Sequence, residues 1–413
     1  MESANVFEHL SYSVKDFDYP LPTERIATFP KEKRDDSKLL VYKDQKISDV
    51  YYHQIDQFLP SDSLLVFNNT RVIQARLHFK TTTGATVEIF CLEPADKHIE
   101  VNLAMQATKT CRWKCLVGEL RKWKEEKIYL EIPLAGEKAI LAAKLVEKQS
   151  DAFIIEFEWE PSTFTFAEIL EKAGKIPLPP YIKRELNEED KKRYQTIYAE
   201  HEGSVAAPTA GLHYTPEIFE KLRKKNIDLD YLTLHIGAGT FKPIKTETIV
   251  EHEMHSEQLV VEKKFIEKLI SYLDKGIIAV GTTSLRTLES LYWLGLKIHN
   301  GSIGNGDEVV VNQWDPYQLE ATISPAEALQ AVVAFLEKNK QEIFLSRTSL
   351  LIIPGYEWKI INALATNFHQ PKSTLVMLVA AFIGDNWRKI YDYALENEYR
   401  FLSYGDGSLL FRS

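Results

Sequence analysis

Residues 71–79 alternate apolar and polar side chains, and from there to about Glu160 nearly every segment keeps that two-residue period: VEIFCLEP, IEVNLAM, WKCLV, KIYLEI and AFIIEFEWE, separated by charged or Gly/Pro turns. A long run of short, evenly spaced strands closes into a small antiparallel barrel or sandwich. Only residues 138–148 carry helical character in this interval.

The pattern changes on both sides. Residues 39–42 and 64–67 read as short apolar strands, and residues 166–173 and 188–198 as helices. Thr215 is a good N-cap and Pro216 a good first-turn residue for a helix over 217–225. A strand over 227–236, a helix over 263–275 and a buried strand over 277–280 follow. This alternation favours a sheet covered by helices. The expected fold is therefore an α/β main domain, a mixed sheet covered by helices, with an inserted small β-barrel-like domain. Residues 1–76 and 161–413 form the discontinuous main domain and 77–160 the insert.

Composition narrows the class. A length of 413 residues fits two or three domains, and 45% hydrophobic with 26% charged residues is ordinary for a globular chain. The longest apolar run, residues 375–383, is far shorter than a membrane span, and MESANVFEHL lacks the basic start and apolar core of a signal peptide, so a cytoplasmic location without a membrane partner is expected. Cys91, Cys111 and Cys115 are too few for a disulfide framework or a complete metal site. A net charge of -9 means that any nucleic-acid partner must meet a confined basic surface. Basic clusters lie at residues 31–38, 121–127, 183–193 and 221–225, and Trp113 and Trp123 interleave with cations over 112–127, as an RNA-contacting strand pair would.

Chemistry concentrates in the second half. GSVAAPTAGLHY, residues 203–214, sets small, permissive residues around Thr209 and His213, and TLHIGAGTF, residues 233–241, brings His235, Gly237, Gly239 and Thr240. Both read as strand-to-loop exits that form one pocket. Gly281 to Arg286 opens a helix directly after a strand, where Thr282, Thr283, Ser284 and free backbone N–H groups favour a carboxylate or phosphate. In TNFHQPKST, Pro371 suits the first turn of an apolar helix, and Lys372 at that positive end is unfavourable unless it meets an anion. Asp406 sits beside a turn in FLSYGD. His252 and His255 in EHEMHSE have the spacing of two metal ligands, but without an HExxH frame no metal site is expected.

GSVAAPTAGLHY, TLHIGAGTF, EHEMHSE, GTTSLRTLES, PGYEWK, TNFHQPKSTLVMLV and YRFLSYGD closely resemble the S-adenosylmethionine:tRNA ribosyltransferase-isomerase family of queuosine biosynthesis. So do FDYPLPTERIATFPKEKRDDSKLLVY, FNNTRVIQARL and the stretch from Ile176 to Tyr214, in family order. The likeness covers most of residues 16–75 and 166–410.

The resemblance implies transfer and isomerisation of the ribosyl part of S-adenosylmethionine onto a 7-aminomethyl-7-deazaguanine base at the tRNA wobble position, giving epoxyqueuosine, adenine and methionine. It implies no cofactor beyond that co-substrate, no metal, and the tRNA anticodon loop as partner. A base must take a proton beside the sulfonium, an acid must meet the departing adenine, and the attacking amine must lose a proton. His213, His235 and Asp406 are the candidates for these transfers. Thr282, Thr283 and Ser284 are expected to hold the methionine carboxylate, and Thr209 and Thr240 ribose or base. Asn69, Arg71, Gly211, Gly237, Gly239, Arg286, Asn367, His369, Lys372 and Ser373 complete the expected substrate site. Arg71, Arg76, Lys183, Arg184 and the 113–127 hairpin are the expected RNA contacts. The chain departs from the family in extra sequence over 292–347, whose helical stretch at 325–340 is placed to cover the pocket or meet a partner, in a tail reading SYGDGSLLF, and in a weakly matching β-rich region. These differences leave open a diverged RNA-binding relative without catalysis, or a transferase acting on another RNA or a free base.

Overall fold

The structure, a computed structural model, describes residues 12–412 apart from 97, 135–136, 151, 238–243, 245 and 303–307. Gly239 and Thr240, expected at the substrate site, lie outside the described residues. The chain begins with β1 (Lys38–Lys43), β2 (Lys46–Tyr51), β3 (Leu64–Asn68) and the short β4 (Thr70–Val72). The barrel strands follow: β5 (Arg76–Lys80), β6 (Thr86–Pro94), β7 (Thr110–Gly118), β8 (Lys127–Leu134), β9 (Glu137–Lys148) and β10 (Phe153–Glu160), with helix α1 (Val101–Met105) between β6 and β7. All neighbours pair antiparallel and the sheet closes in the order β10-β7-β6-β5-β8-β9.

Two expectations fail inside this interval. Residues 138–148, read as helical, form strand β9. Ala139, Leu141 and Ala143 fill the barrel core, so alternation and pairing with β8 and β10 override the helix-forming Ala, Glu and Lys content. IEVNLAM, read as a strand, instead carries α1, because Val101 and Met105, four apart, are the buried pair. Cys91 faces Cys115 across β6 and β7, and all three cysteines are free thiols.

After the barrel come α2 (Phe166–Ala173), α3 (Asp190–Arg193), β11 (His201–Ser204), α4 (Pro216–Lys224), β12 (Asp228–His235), β13 (Glu257–Glu262), α5 (Lys263–Ile270) and β14 (Ile277–Val280). The helix expected over 188–198 shrinks to the single turn α3. Gln195 turns its amide onto both backbone groups of Val72 and Tyr194 is fully buried, which draws the chain off the helical path. The chain finishes with α6 (Thr282–His299), β15 (Val310–Val311), α7 (Asp315–Gln318), α8 (Pro325–Asn339), β16 (Ile343–Thr348), β17 (Ala363–Asn367), α9 (Thr374–Ile383), α10 (Asn386–Glu396) and β18 (Gly407–Phe411).

The main sheet has ten strands in the order β15-β16-β13-β12-β3-β14-β17-β18-β1-β2. Its centre, β12, β3, β14 and β17, is parallel. Period-two burial explains why β3 and β14 are apolar on both faces: Leu64, Val66, Ile277 and Ala279 face one core with α5, α6, α8 and α9, while Leu65, Phe67, Ile278 and Val280 face the other with α4. No helix among the described residues is long and apolar enough to cross a membrane.

The described residues of 292–347 are built into the fold. They supply the end of α6, the edge strand β15, most of its neighbour β16, and α8, which packs on α6 and α5. At the helix contact a Cβ on Gly295 would lie 2.1 Å from the Ala328 carbonyl oxygen. Gly295→Ala is expected to push α8 off α6 and cost about 2 kcal/mol. A lowered urea midpoint at unchanged m-value would register it.

Candidate functional site

The four parallel strands end on one side of the sheet, where open α/β sheets hold their ligands. There Ile236 after β12, Gly281 after β14 and Asn367 ending β17 border a cleft enclosing about 1280 Å³, part of it continuous with solvent. Gly281 turns the chain from β14 into α6 at φ +89°, a conformation that side-chain-bearing residues rarely adopt. That turn delivers Thr282, Thr283 and Arg286 to the cleft wall.

Four polar atoms of residues lining this cleft are buried without a hydrogen-bond partner: Tyr194 Oη, Thr283 Oγ1, Arg286 Nη2 and Asn367 Oδ1. Arg286 is only 7% exposed. Its Nη1 pairs with Glu257 Oε2 at 2.5 Å and its Nε donates to the Leu350 carbonyl at 3.1 Å, which leaves Nη2 aimed where no protein acceptor meets it. Glu257 also accepts from the Gly237 amide at 3.2 Å, so one carboxylate ties the loop after β12 to the first turns of α6. Asn367 spends its Nδ2 on His213 Nε2 (3.2 Å) and the Leu402 carbonyl (3.2 Å), and its Oδ1 is left over. Such orphans are rare in folded proteins and mark places where a ligand completes the bonding.

Of the residues expected at the site, Thr209, Thr282, Thr283, Arg286, Asn367, His369 and Ser373 line this cleft. The others do not. His213 is stacked on Tyr52 with centroids 4.1 Å apart and reaches the cleft only through Asn367. His235 lies against Thr70, Nδ1 to Oγ1 3.3 Å, behind Ile236. Burial pushes both imidazoles down to about 3, so they are neutral at pH 7. Asp406 is buried, and its carboxylate accepts from the Lys38 amide (2.9 Å) and the Arg400 amide (2.7 Å), bracing the start of β1 against the C-terminal turn.

Asn69 accepts from Thr233 Oγ1 at 2.7 Å, between β3 and β12. Arg71 is exposed and sits 3.8 Å from Glu202. Gly211 is required by packing, since its Cβ would fall 1.8 Å from the Tyr198 hydroxyl, and Ser284 Oγ donates back to the Val280 carbonyl at the end of β14. Lys372 meets its anion inside the protein, Nζ to Asp18 Oδ2 2.8 Å. Helix α9 is capped by Ser373 and starts at Thr374, so Pro371 lies before the helix and outside its first turn.

The expected RNA hairpin also reads differently in three dimensions. Trp113 and Trp123 are buried in the barrel, and Arg112, Lys127 and Lys144 pair with Glu156, Glu158 and Glu126. Arg76 pairs with Glu88 at 2.9 Å, and Arg184 is clamped by Asp190. Along β7 side chains alternate between core and surface, which puts the Trp113 ring inside.

Sequence reasoning missed Tyr181, His252, Met254 and His255 as cleft residues. The signal is present in the paired histidines of EHEMHSE, beside which no third metal ligand stands among the described residues. Gln313, from the segment after α6, holds this turn: it accepts from the Met254 amide at 2.8 Å and donates to the His252 carbonyl at 2.6 Å. His369 completes a set of three cleft imidazoles; burial pushes it down to about 3, and its Nε2 lies 3.0 Å from Thr366 Oγ1. Burial and the neighbouring His255 charge lower His252.

Residues 14–410 match the family model described as queuosine biosynthesis protein. The proteins named S-adenosylmethionine:tRNA ribosyltransferase-isomerase from Thermotoga petrophila and Thermotoga maritima are each 37% identical over 402 residues, spanning 96% of this chain and 99% of theirs. A crystal structure of S-adenosylmethionine tRNA ribosyltransferase from Thermotoga maritima aligns with 96% of this chain and 100% of its own at 28% identity, with a TM-score of 0.45.

Proposed function

The chain belongs to the queuosine biosynthesis protein family, and from that membership we propose the chemistry of its cleft: S-adenosylmethionine is bound there beside a tRNA base, onto which its ribosyl part is transferred and isomerised. The acceptor is 7-aminomethyl-7-deazaguanine at the wobble position of the anticodon loop, and the products are epoxyqueuosine-tRNA, adenine and methionine. The observation that carries the assignment to this cleft is the set of unpartnered polar atoms held by its lining residues, Thr283 Oγ1, Arg286 Nη2 and Asn367 Oδ1 among them.

Arg286 Nη2 and Thr283 Oγ1 suit the methionine carboxylate, reinforced by the N-terminal amides of α6. Asn367 Oδ1, an acceptor, suits an amine of the ligand. Proton transfer falls to the imidazoles. A base works best with a pKa near the working pH, and His369, pushed to about 3, is too weak a base and stays a neutral hydrogen-bonding partner. His252 and His255, which line the cleft, are the proposed proton carriers. His213 becomes a positioning residue that fixes the Asn367 amide.

The test is adenine release from S-adenosylmethionine by purified protein, with tRNA carrying the precursor base, with the free base, and with neither. Release only with the tRNA supports the proposal. Release with the free base points to a small-molecule transferase, and no release to a silent RNA-binding relative. Thr283→Val, which removes one hydroxyl and keeps the side-chain shape, is expected to weaken S-adenosylmethionine binding about ten-fold by isothermal titration.

A further inference from the structure

A second, smaller crevice opens on the other side of Ser403 from the cleft. Ser403 lines both, and Lys31, Arg34, Arg193 and His213 contribute to the second. Its two guanidiniums have no carboxylate partner among the described residues. Arg34 donates to the Leu212 carbonyl (3.1 Å) and the Lys192 carbonyl (3.0 Å), and Arg193 to the carbonyls of Glu32 (2.9 Å) and Lys31. Arg193 Nε is buried without a partner. Burial and then the charge of Arg193 push the Arg34 guanidinium down, the opposite of what a paired arginine experiences. The crevice is thus rigid, positive and uncompensated, in a chain whose net charge is -9.

Beside it stands Phe29, 54% exposed. Its ring is held from one face by the Arg184 guanidinium, 4.2 Å from the centroid. Arg184 is itself immobilised by two bonds to Asp190 (2.6 and 2.7 Å) and one to the Thr28 carbonyl (2.9 Å). Among the described residues no protein ring stacks on Phe29. A large apolar ring kept exposed and backed by a fixed cation is what single-stranded nucleic acid uses as a stacking platform.

We propose that Phe29 stacks one unpaired nucleobase of the RNA substrate while Arg34, Arg193 and Lys31 hold an adjacent backbone phosphate, so that a loop nucleotide next to the reacting one is gripped across the Ser403 wall. The inference rests on the RNA substrate assigned above. It places the RNA contact on the TFPK turn and away from the barrel, where Arg112, Lys127 and Lys144 are already paired with carboxylates. The substrate loop is single-stranded, so its bases are free to splay onto such a ring.

The probe is an unmodified anticodon stem–loop RNA with guanine at the wobble position, bound to the full chain and followed by fluorescence anisotropy over a salt series. Phe29→Ala is expected to weaken binding about five-fold to a hundred-fold with an unchanged salt slope. Phe29→Trp is expected to retain the affinity and to add a fluorescence quench on binding that the wild type lacks. Arg193→Gln is expected to lower the slope of log affinity against log salt by about one. S-adenosylmethionine affinity, measured on the same variants, should not move, which separates loss of an RNA contact from misfolding. Equal RNA affinity of wild type and Phe29→Ala overturns the inference while leaving the adenine-release result of the wild type intact. Absence of any RNA binding by a wild type that releases adenine from the free base overturns both readings.

Discussion

Replacing Arg286 by glutamine should eliminate detectable S-adenosylmethionine binding and lower the stability of the folded chain by roughly 3 to 5 kcal/mol. The two effects have separate origins. Stability falls because Glu257, 2% exposed, loses the cation at 2.5 Å and keeps a buried charge. Binding falls because Arg286 lines the cleft and one of its guanidinium nitrogens has no protein partner. The double variant Glu257→Gln with Arg286→Gln removes the stranded charge, and its thermal midpoint is expected to recover most of the loss while binding stays absent. A double variant that binds S-adenosylmethionine like the wild type would show that the guanidinium serves packing alone. Calorimetric titration and thermal melts on the three proteins decide the matter.

Mild acid is the second large perturbation. His213 and His235 titrate near 6.5 in an unfolded chain and at about 3 in the folded one. The unfolded chain therefore binds more protons between these values, and stability, complete above pH 6.5, drains away as pH falls towards 3. Each such histidine costs about 1.4 kcal/mol per pH unit. His369, shifted alike but facing the cleft, adds a smaller share. The sum is roughly 3 kcal/mol for each unit below pH 6.5, enough to exhaust an ordinary domain stability within a few units. Urea midpoints at pH 7.5, 6.5 and 5.5 should fall steeply over the last interval. A flat profile would mean that the imidazoles are protonated in the folded state.

The sequence was informative where a side chain's type and its backbone's needs coincide. The barrel was readable because two-residue alternation persists over some eighty positions, and the cleft loops because glycines and hydroxyls gather at strand ends. Burial direction was not readable. His213 and His235 sit in those same loops yet turn inward, His213 because Tyr52, far away in sequence, offers a ring to stack on. Lys372 looked like an anion site because its partner, Asp18, lies at the opposite end of the chain. Segment β9 misled for a related reason: alanine, glutamate and lysine favour a helix locally, and only two neighbouring strands make the extended form better. The paired histidines of EHEMHSE needed Gln313, some sixty residues on, before they could be seen as cleft residues.

The Asn367 amide carries a consequence for which ligands the cleft accepts. With its nitrogen committed to His213 and Leu402, the group cannot rotate to suit a visitor, so the cleft offers a lone pair at that point before anything arrives. An imidazole that accepts a hydrogen bond on Nε2 carries its own proton on the other nitrogen. The tautomer of His213 is in this sense written into the wall of the cleft: were that ring to hold a second proton, the amide would have to reverse, and a site that invites an amine would repel one.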